Sequence, residues 1–255
     1  MPLFLRGLNM NQKSGGVAAV LLGSLLAIWV GLTSGGKPDG NHSRSELASR
    51  MVACATPAAG LSYGSDRSAY LAAIYPGDKD ANGHPNAQAF EMGSYQSSCM
   101  LFARACLAHS GITDPRIRGD YAPIVGTVET VLFNSAQDAG ALVMAQAGKR
   151  PDIEPGDVVV IGIGGSAPKD EKERAAWLVS WGGIAHGDVV TSVEGDIVRG
   201  VAGGQTDPQN GNKPTKIDDV TRTLYQGADG RWWLGDRRIN YVIKSRLWKI
   251  PAKVD

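Results

Sequence analysis

The chain has 255 residues, of which 43% are hydrophobic and 20% are charged, so it is long enough for one sizeable globular domain with a short appendage. Its 26 basic and 25 acidic side chains leave a net charge of +1, which argues against nucleic acid as a partner. Three cysteines are too few for a disulfide framework, and none has the spacing of a zinc site. An exported domain could form one disulfide, for which Cys54 and Cys106 are the favoured pair with Cys99 outside it, but sequence alone leaves the pairing open.

The first 36 residues are predicted to be an export signal or a membrane anchor. Arg6 and Lys13 precede an apolar run at residues 17–32, and small polar residues follow it. A basic flank before such a run is typical of a signal peptide and of a short membrane anchor. The absence of an A-x-A cleavage motif favours the uncleaved anchor, and a cleaved signal is the alternative. We therefore expect an exported protein, either anchored in the inner membrane and facing the periplasm or secreted.

Residues 37–89 are predicted to be a linker followed by a helical extension. Small and polar residues directly after the apolar run indicate the linker, and helices are expected at residues 45–54 and 66–75. Residues 76–88 are rich in turn formers and contain alternating acidic side chains. Because the acidic residue that closes a calcium loop is missing there, we expect no metal site.

The remaining segment, residues 90–255, is predicted to be the main domain. A helix with an apolar stripe is expected at residues 97–110, and one or two more helices at 127–147. From residue 153 onward, short β-branched runs alternate with glycine-rich turns, which indicates strands. The predicted strands are 157–163, 187–193, 197–201 and 238–247. Helices followed by strands are typical of an α+β fold with an antiparallel sheet.

Cys99 and His186 are the residues best placed for nucleophilic chemistry. Cys99 falls in the first turn of a predicted helix, where unpaired backbone N–H groups and the helix dipole favour a thiolate. His186 directly precedes a predicted strand, from which its ring can project into a cleft at the sheet edge. In a Cys–His pair the imidazole takes the thiol proton and later protonates the leaving amine. A buried structural cysteine and a structural histidine are the alternatives, and Cys106, in mid-helix, is expected to be a core residue.

Three short motifs occur in an order that resembles the CHAP and NlpC branch of the papain-like cysteine peptidases and amidases. They are Ser-Cys-Met-Leu-Phe at 98–102, Glu-Pro-Gly-Asp-Val-Val-Val at 154–160 and Ala-His-Gly-Asp-Val-Val-Thr-Ser-Val-Glu-Gly-Asp at 185–196. A segment at 201–205, Val-Ala-Gly-Gly-Gln, is similar to a Gly-Gly-Asn-Gln segment of that family, with glycine in place of the asparagine. The resemblance covers residues 90–250. It implies a papain-like α+β fold, in which N-terminal helices pack on an antiparallel β-sheet.

The resemblance also implies the roles of the site residues. Cys99 would attack an amide carbonyl, and His186 would be the general base. Gln205 would orient the imidazole because of its place in the similar segment. Asp188 is the other candidate, since it lies two residues after His186 and therefore on the same face of the strand. Such a reaction requires no metal and no organic cofactor.

Further residues are expected to bind the substrate. The oxyanion hole would combine the backbone N–H of Cys99 with a side-chain donor from Gln96 or Tyr95. Trp177 and Trp181, in the loop before the predicted His186 strand, could line a substrate groove or simply pack on the surface.

These observations favour an exported cysteine amidase or endopeptidase that cleaves amide bonds in peptidoglycan peptides. The first alternative is a non-catalytic module of the same fold, which would bind the cell wall or build part of a phage or secretion assembly. The second is a toxin-like amidase effector, which would require an immunity protein as its partner. The sequence leaves open which bond is cleaved.

Overall fold

The computed structural model describes residues 44–75, 98–118, 127–162 and 185–248, all within one compact unit. The predicted export segment at residues 17–32 and the turn-rich residues 76–88 lie outside the described residues. None of the described helices has the length and apolar character needed to cross a membrane.

Helices come first along the described chain. They are α1 (Arg44–Ala55), α2 (Arg67–Ile74), α3 (Ser98–His109), α4 (Pro115–Arg118) and α5 (Thr127–Asp138), with a 3-10 turn at Thr56–Ala58 after α1. The helices predicted at 45–54, 66–75 and 97–110 are confirmed to within a residue or two of each end. Asp66 caps α2 by accepting a hydrogen bond from the Ala69 backbone N–H at 3.0 Å.

Antiparallel strands follow the helices. They are β1 (Leu142–Met144), β2 (Val158–Gly162), β3 (Ala185–Glu194), β4 (Ile197–Asp207), β5 (Lys213–Gln226), β6 (Trp232–Leu234) and β7 (Arg237–Ile243), with further 3-10 turns at Pro208–Asn210 and Ser245–Leu247. Neighbouring strands are ordered β1-β7-β2-β3-β4-β5-β6, and β6 also pairs with β7. This last pairing joins the two ends of the sheet, so β2 to β7 form a closed six-stranded antiparallel barrel.

The prediction of a papain-like α+β fold, with N-terminal helices packed on an antiparallel β-sheet, is wrong because the strands form a closed barrel. Two strands that the sequence pattern did not reveal complete the circle. Strand β5 mixes charged residues and threonines with isolated apolar residues, whereas β6 has only three residues. The predicted helical region at 127–147 is also too long, since residues 142–144 form β1.

Strand β2 is apolar on both faces. On β2, Val159 and Ile161 belong to a hydrophobic cluster to which all six barrel strands contribute, which places this cluster inside the barrel. Val158 and Val160 alternate with them and pack with the residues of the helices. The helices therefore cover the outer face of this part of the barrel. This double burial explains the continuous valine and isoleucine run that predicted β2.

Candidate active site

The first turn of α3 lies directly against the backbone of β4. A Cβ atom on Gly203 would lie 2.6 Å from the Ser98 carbonyl oxygen, and one on Gly204 would lie 3.4 Å from the Cys99 nitrogen. Gly204 also has a φ of 71°, which glycine adopts without strain. The two glycines let β4 approach the turn that carries Cys99. This close approach accounts for the glycine at 204, where the similar family segment has asparagine.

His186 and Asp188 lie on the inner face of β3. In the ladder with β2, His186 is opposite Ile161, and Asp188 is opposite Val159. Residues opposite each other in an antiparallel ladder share a face, and both partners belong to the cluster inside the barrel. The two polar side chains are almost completely buried. The expectation that they share one face of the strand is confirmed.

Cys99 and His186 are hydrogen-bonded to each other, and each changes the pKa of the other. Burial disfavours the charged form of Cys99. The hydrogen bond to His186, its positive charge and backbone hydrogen bonds from Gly187 and Met100 outweigh burial and lower the pKa of the thiol. Burial also opposes the charged form of His186, but hydrogen bonds to Asp188 and Cys99 raise its pKa to about 9. Both shifts favour a thiolate beside an imidazolium at neutral pH.

Both predicted orienting residues contact the same nitrogen of the imidazole. His186 Nε2 lies 3.2 Å from Asp188 Oδ1 and 3.1 Å from Gln205 Nε2. This arrangement leaves Nδ1 as the nitrogen that can exchange a proton with Cys99. The amide nitrogen of Gln205 is a donor, so it suits Nε2 only when that nitrogen carries no proton. In the imidazolium form, the carboxylate of Asp188 is the favourable partner.

Arg222 fixes the far side of Asp188. Its Nε donates a hydrogen bond to Asp188 Oδ2 at 2.7 Å, and its position opposite Val198 in the β4–β5 ladder places it on the inner face of the barrel. Burial raises the pKa of Asp188, but His186 and Arg222 together lower it overall, so the carboxylate stays charged. The contacts run from Cys99 through His186 and Asp188 to Arg222. We call these four residues the His186 chain.

The sequence did not reveal Arg222 as part of the site. The available signal was a basic residue two positions before the buried Leu224, which puts both on the same face of a strand. Because β5 itself was not predicted, the two-residue spacing did not identify Arg222 as an inward-facing residue.

A second buried carboxyl group lies within electrostatic range of Cys99. Glu129 on α5 is buried, and within the described residues its Oε1 atom has no hydrogen-bond partner. Burial, and to a lesser degree the charge of Cys99, raise the pKa of Glu129 to about 8. A neutral Glu129 at pH 7 does not oppose the thiolate. This residue was not predicted from the sequence.

The motif at residues 154–160 has a structural role, because it packs on α1 and is held by Lys244. A Cβ on Gly156 would lie 2.6 Å from the backbone of Ala48 in α1, so this turn packs tightly on the helix. Lys244 Nζ donates to Asp157 Oδ2 at 2.8 Å, to the Asp152 carbonyl oxygen at 2.8 Å and to Asp152 Oδ2 at 3.2 Å. We call Lys244, Asp157 and Asp152 the Lys244 cluster. Its contacts tie the loop before β2 to the end of β7.

The structure therefore brings together the predicted residues Cys99, His186, Asp188 and Gln205. The predicted oxyanion donors and groove tryptophans lie outside the described residues; they are Gln96, Tyr95, Trp177 and Trp181. Within the described ranges, no group of three or more histidine, cysteine or acidic side chains could hold a metal ion.

Comparisons with known proteins identify no relative. No protein-family model, curated protein or solved structure matches this chain.

Proposed function

We propose that this protein belongs to the class of cysteine-dependent hydrolases that act through an acyl-enzyme intermediate. The observation that carries the proposal is the hydrogen-bonded pair of Cys99 and His186, with pKa shifts that favour a thiolate and an imidazolium. The thiolate is the reactive nucleophile, and the imidazolium is an acid placed next to it. Their side chains are nearly buried, which limits competing contact with bulk water.

The proposed reaction follows from the order of contacts. Cys99 Sγ attacks the carbonyl carbon of an amide, and His186 gives its proton to the leaving nitrogen. His186 then takes a proton from a water molecule, which attacks the thioester and releases the acid and the thiolate. Asp188 stabilises the imidazolium, and Arg222 holds Asp188 in place. The backbone N–H of Cys99 at the start of α3 is the candidate donor to the oxyanion.

Within that class, we propose that the protein is an amidase or endopeptidase acting on peptidoglycan peptides. The motifs at 98–102, 154–160 and 185–196 resemble segments of CHAP and NlpC enzymes, which cleave such amide bonds. The apolar segment at residues 17–32 predicts export to the compartment that contains the cell wall.

The test is hydrolysis of purified muropeptides by the full-length chain, with products identified by mass spectrometry. Cys99→Ala removes the nucleophile and is expected to reduce the rate by at least about 1000-fold. Cys54→Ala, which changes a cysteine away from His186, is the matched control and is expected to keep most of the activity.

The outcomes separate the parts of the proposal. Unchanged hydrolysis by Cys99→Ala would refute Cys99 as nucleophile. If the wild type cleaves a generic peptide amide but no muropeptide, the chemical class stands and the substrate assignment fails. Binding of muropeptides without any cleavage would instead identify a non-catalytic wall-binding module.

A further inference from the structure

The other two cysteines form a close pair away from His186. Cys54 lies near the end of α1 and Cys106 lies in α3, and their Sγ atoms are 2.6 Å apart. Non-bonded heavy atoms in a packed core typically approach to about 3.5 to 4.0 Å. The third cysteine of the chain, Cys99, is hydrogen-bonded to His186 instead. The fold thus brings together two thiols that are 52 positions apart in sequence.

The two thiols differ in their access to solvent. Cys106 is completely buried in the hydrophobic core that joins the helices to the barrel, whereas Cys54 is half-buried at the edge of that core. Burial and the neighbouring Cys54 raise the pKa of Cys106 well above its ordinary value. A reagent from solution therefore meets Cys54 first, and Cys106 is placed to react second.

We propose that Cys54 and Cys106 are a modification site, which an oxidising compartment converts to a disulfide by exchange with a dithiol oxidase or oxidised glutathione. The Cys54 thiolate attacks one sulfur of the oxidant's disulfide and releases the first thiolate. Cys106 Sγ then attacks the Cys54 sulfur and releases the second. The two cysteines lose two protons and two electrons, and the oxidant is reduced to two thiols.

The disulfide would fix α1 to the helix that carries Cys99. Closing a chain segment of this length restricts the unfolded state, which stabilises the folded one. The nucleophile is left out of the cross-link, so the oxidised protein keeps one thiol, on Cys99. This proposal does not depend on hydrolase activity, and it links the fold to the predicted export of the chain.

The test uses the full-length chain, equilibrated with oxidised glutathione or with dithiothreitol and then alkylated after unfolding. We expect Cys99 to be the one cysteine outside the cross-link in the oxidised sample, either alkylated or carrying glutathione, and all three cysteines to be alkylated in the reduced sample. Peptide mapping should show a cross-linked fragment that contains Cys54 and Cys106. The thermal midpoint should be several degrees higher in the oxidised sample.

Two variants control the experiment. Cys54→Ala should abolish both the cross-link and the difference in thermal midpoint, and Cys99→Ala should retain both. Three alkylated cysteines after oxidation would overturn the proposal, and so would a cross-link that contains Cys99. The comparison of oxidised and reduced wild type needs no substitution, so it remains decisive if a variant fails to fold.

Discussion

Two groups of charged side chains, each built around a buried carboxylate, differ in what their contacts hold in place. In the Lys244 cluster the ammonium group directs its donors to a carboxylate, a backbone carbonyl and a second carboxylate. These contacts hold the loop before β2 against the end of β7. The His186 chain begins with a similar ion pair, between the buried Asp188 and the half-buried Arg222, but its other end is the thiol of Cys99.

The difference shows that buried charge alone does not define an active site. Burial raises the cost of charge in both groups. In the His186 chain the charged partners outweigh burial and lower the pKa of Asp188, whereas in the Lys244 cluster burial outweighs Lys244 and raises the pKa of Asp157 to about 7. Only the His186 chain uses its partners to keep a nucleophile ionised. The motif at 154–160 and the motif at 185–196 therefore have different roles, structural for the first and, as we propose, catalytic for the second.

The largest effect is expected from His186→Gln. Glutamine retains hydrogen-bonding capacity but can neither accept the thiol proton nor protonate a leaving amine. Hydrolysis should fall by about 100- to 10,000-fold, measured as kcat/KM on the substrate that the wild type cleaves. His109→Gln, at the other end of α3, is the matched control and should change the rate little. Equal losses in the two variants would contradict a special role for His186.

The next largest effect is expected from Lys244→Met, and it should be on stability alone. Removing the ammonium leaves Asp157 buried without its charge partner, which should lower the free energy of unfolding by about 3 to 5 kcal/mol. Urea denaturation measures this loss. The pH dependence of Cys99 alkylation should stay as in the wild type at temperatures where the variant is folded. A shifted alkylation profile would show that the two groups of charges are not independent.

A smaller effect is expected from Arg222→Gln. The carboxylate of Asp188 keeps His186 as a partner after this change but loses a 2.7 Å hydrogen bond from a charged donor. The free energy of unfolding should fall by about 1.5 to 3 kcal/mol. Arg199→Gln, which breaks an exposed pair with Glu194, should cost below about 1 kcal/mol. If the two substitutions cost the same, Arg222 does not stabilise the buried carboxylate.

Local signals in the sequence were sufficient to predict the helices and to place Cys99 in the first turn of α3. Capping residues and apolar spacing are properties of a single segment, so α1, α2 and α3 could be predicted with their ends. The run at 157–163 predicted β2 because both of its faces are buried. The resemblance of residues 201–205 to a family segment predicted that Gln205 orients the imidazole. The two-residue spacing from His186 predicted Asp188 as the other candidate.

The closure of the barrel and the role of Arg222 depend on contacts that are distant in sequence. Strand β6 has three residues, and its pairing with β7 closes the barrel, yet no pattern within three residues can indicate that closure. Arg222 on β5 contacts Asp188 on β3, although β4 lies between these two strands in the sheet. That contact follows from the curvature of the barrel. The four strands predicted from the sequence do not include β5, so this contact could not be predicted.

The pH dependence of Cys99 reactivity tests the thiolate–imidazolium pair most directly. Because His186 lowers the pKa of Cys99, alkylation by iodoacetamide should reach half its maximal rate at a lower pH than for an ordinary thiol, whose pKa is about 8.5. Because the pKa of His186 is about 9, kcat/KM for hydrolysis should rise as Cys99 ionises and fall again near pH 9 as the imidazolium loses its proton. Half-maximal alkylation at or above pH 8.5, with no fall in hydrolysis near pH 9, would contradict the account.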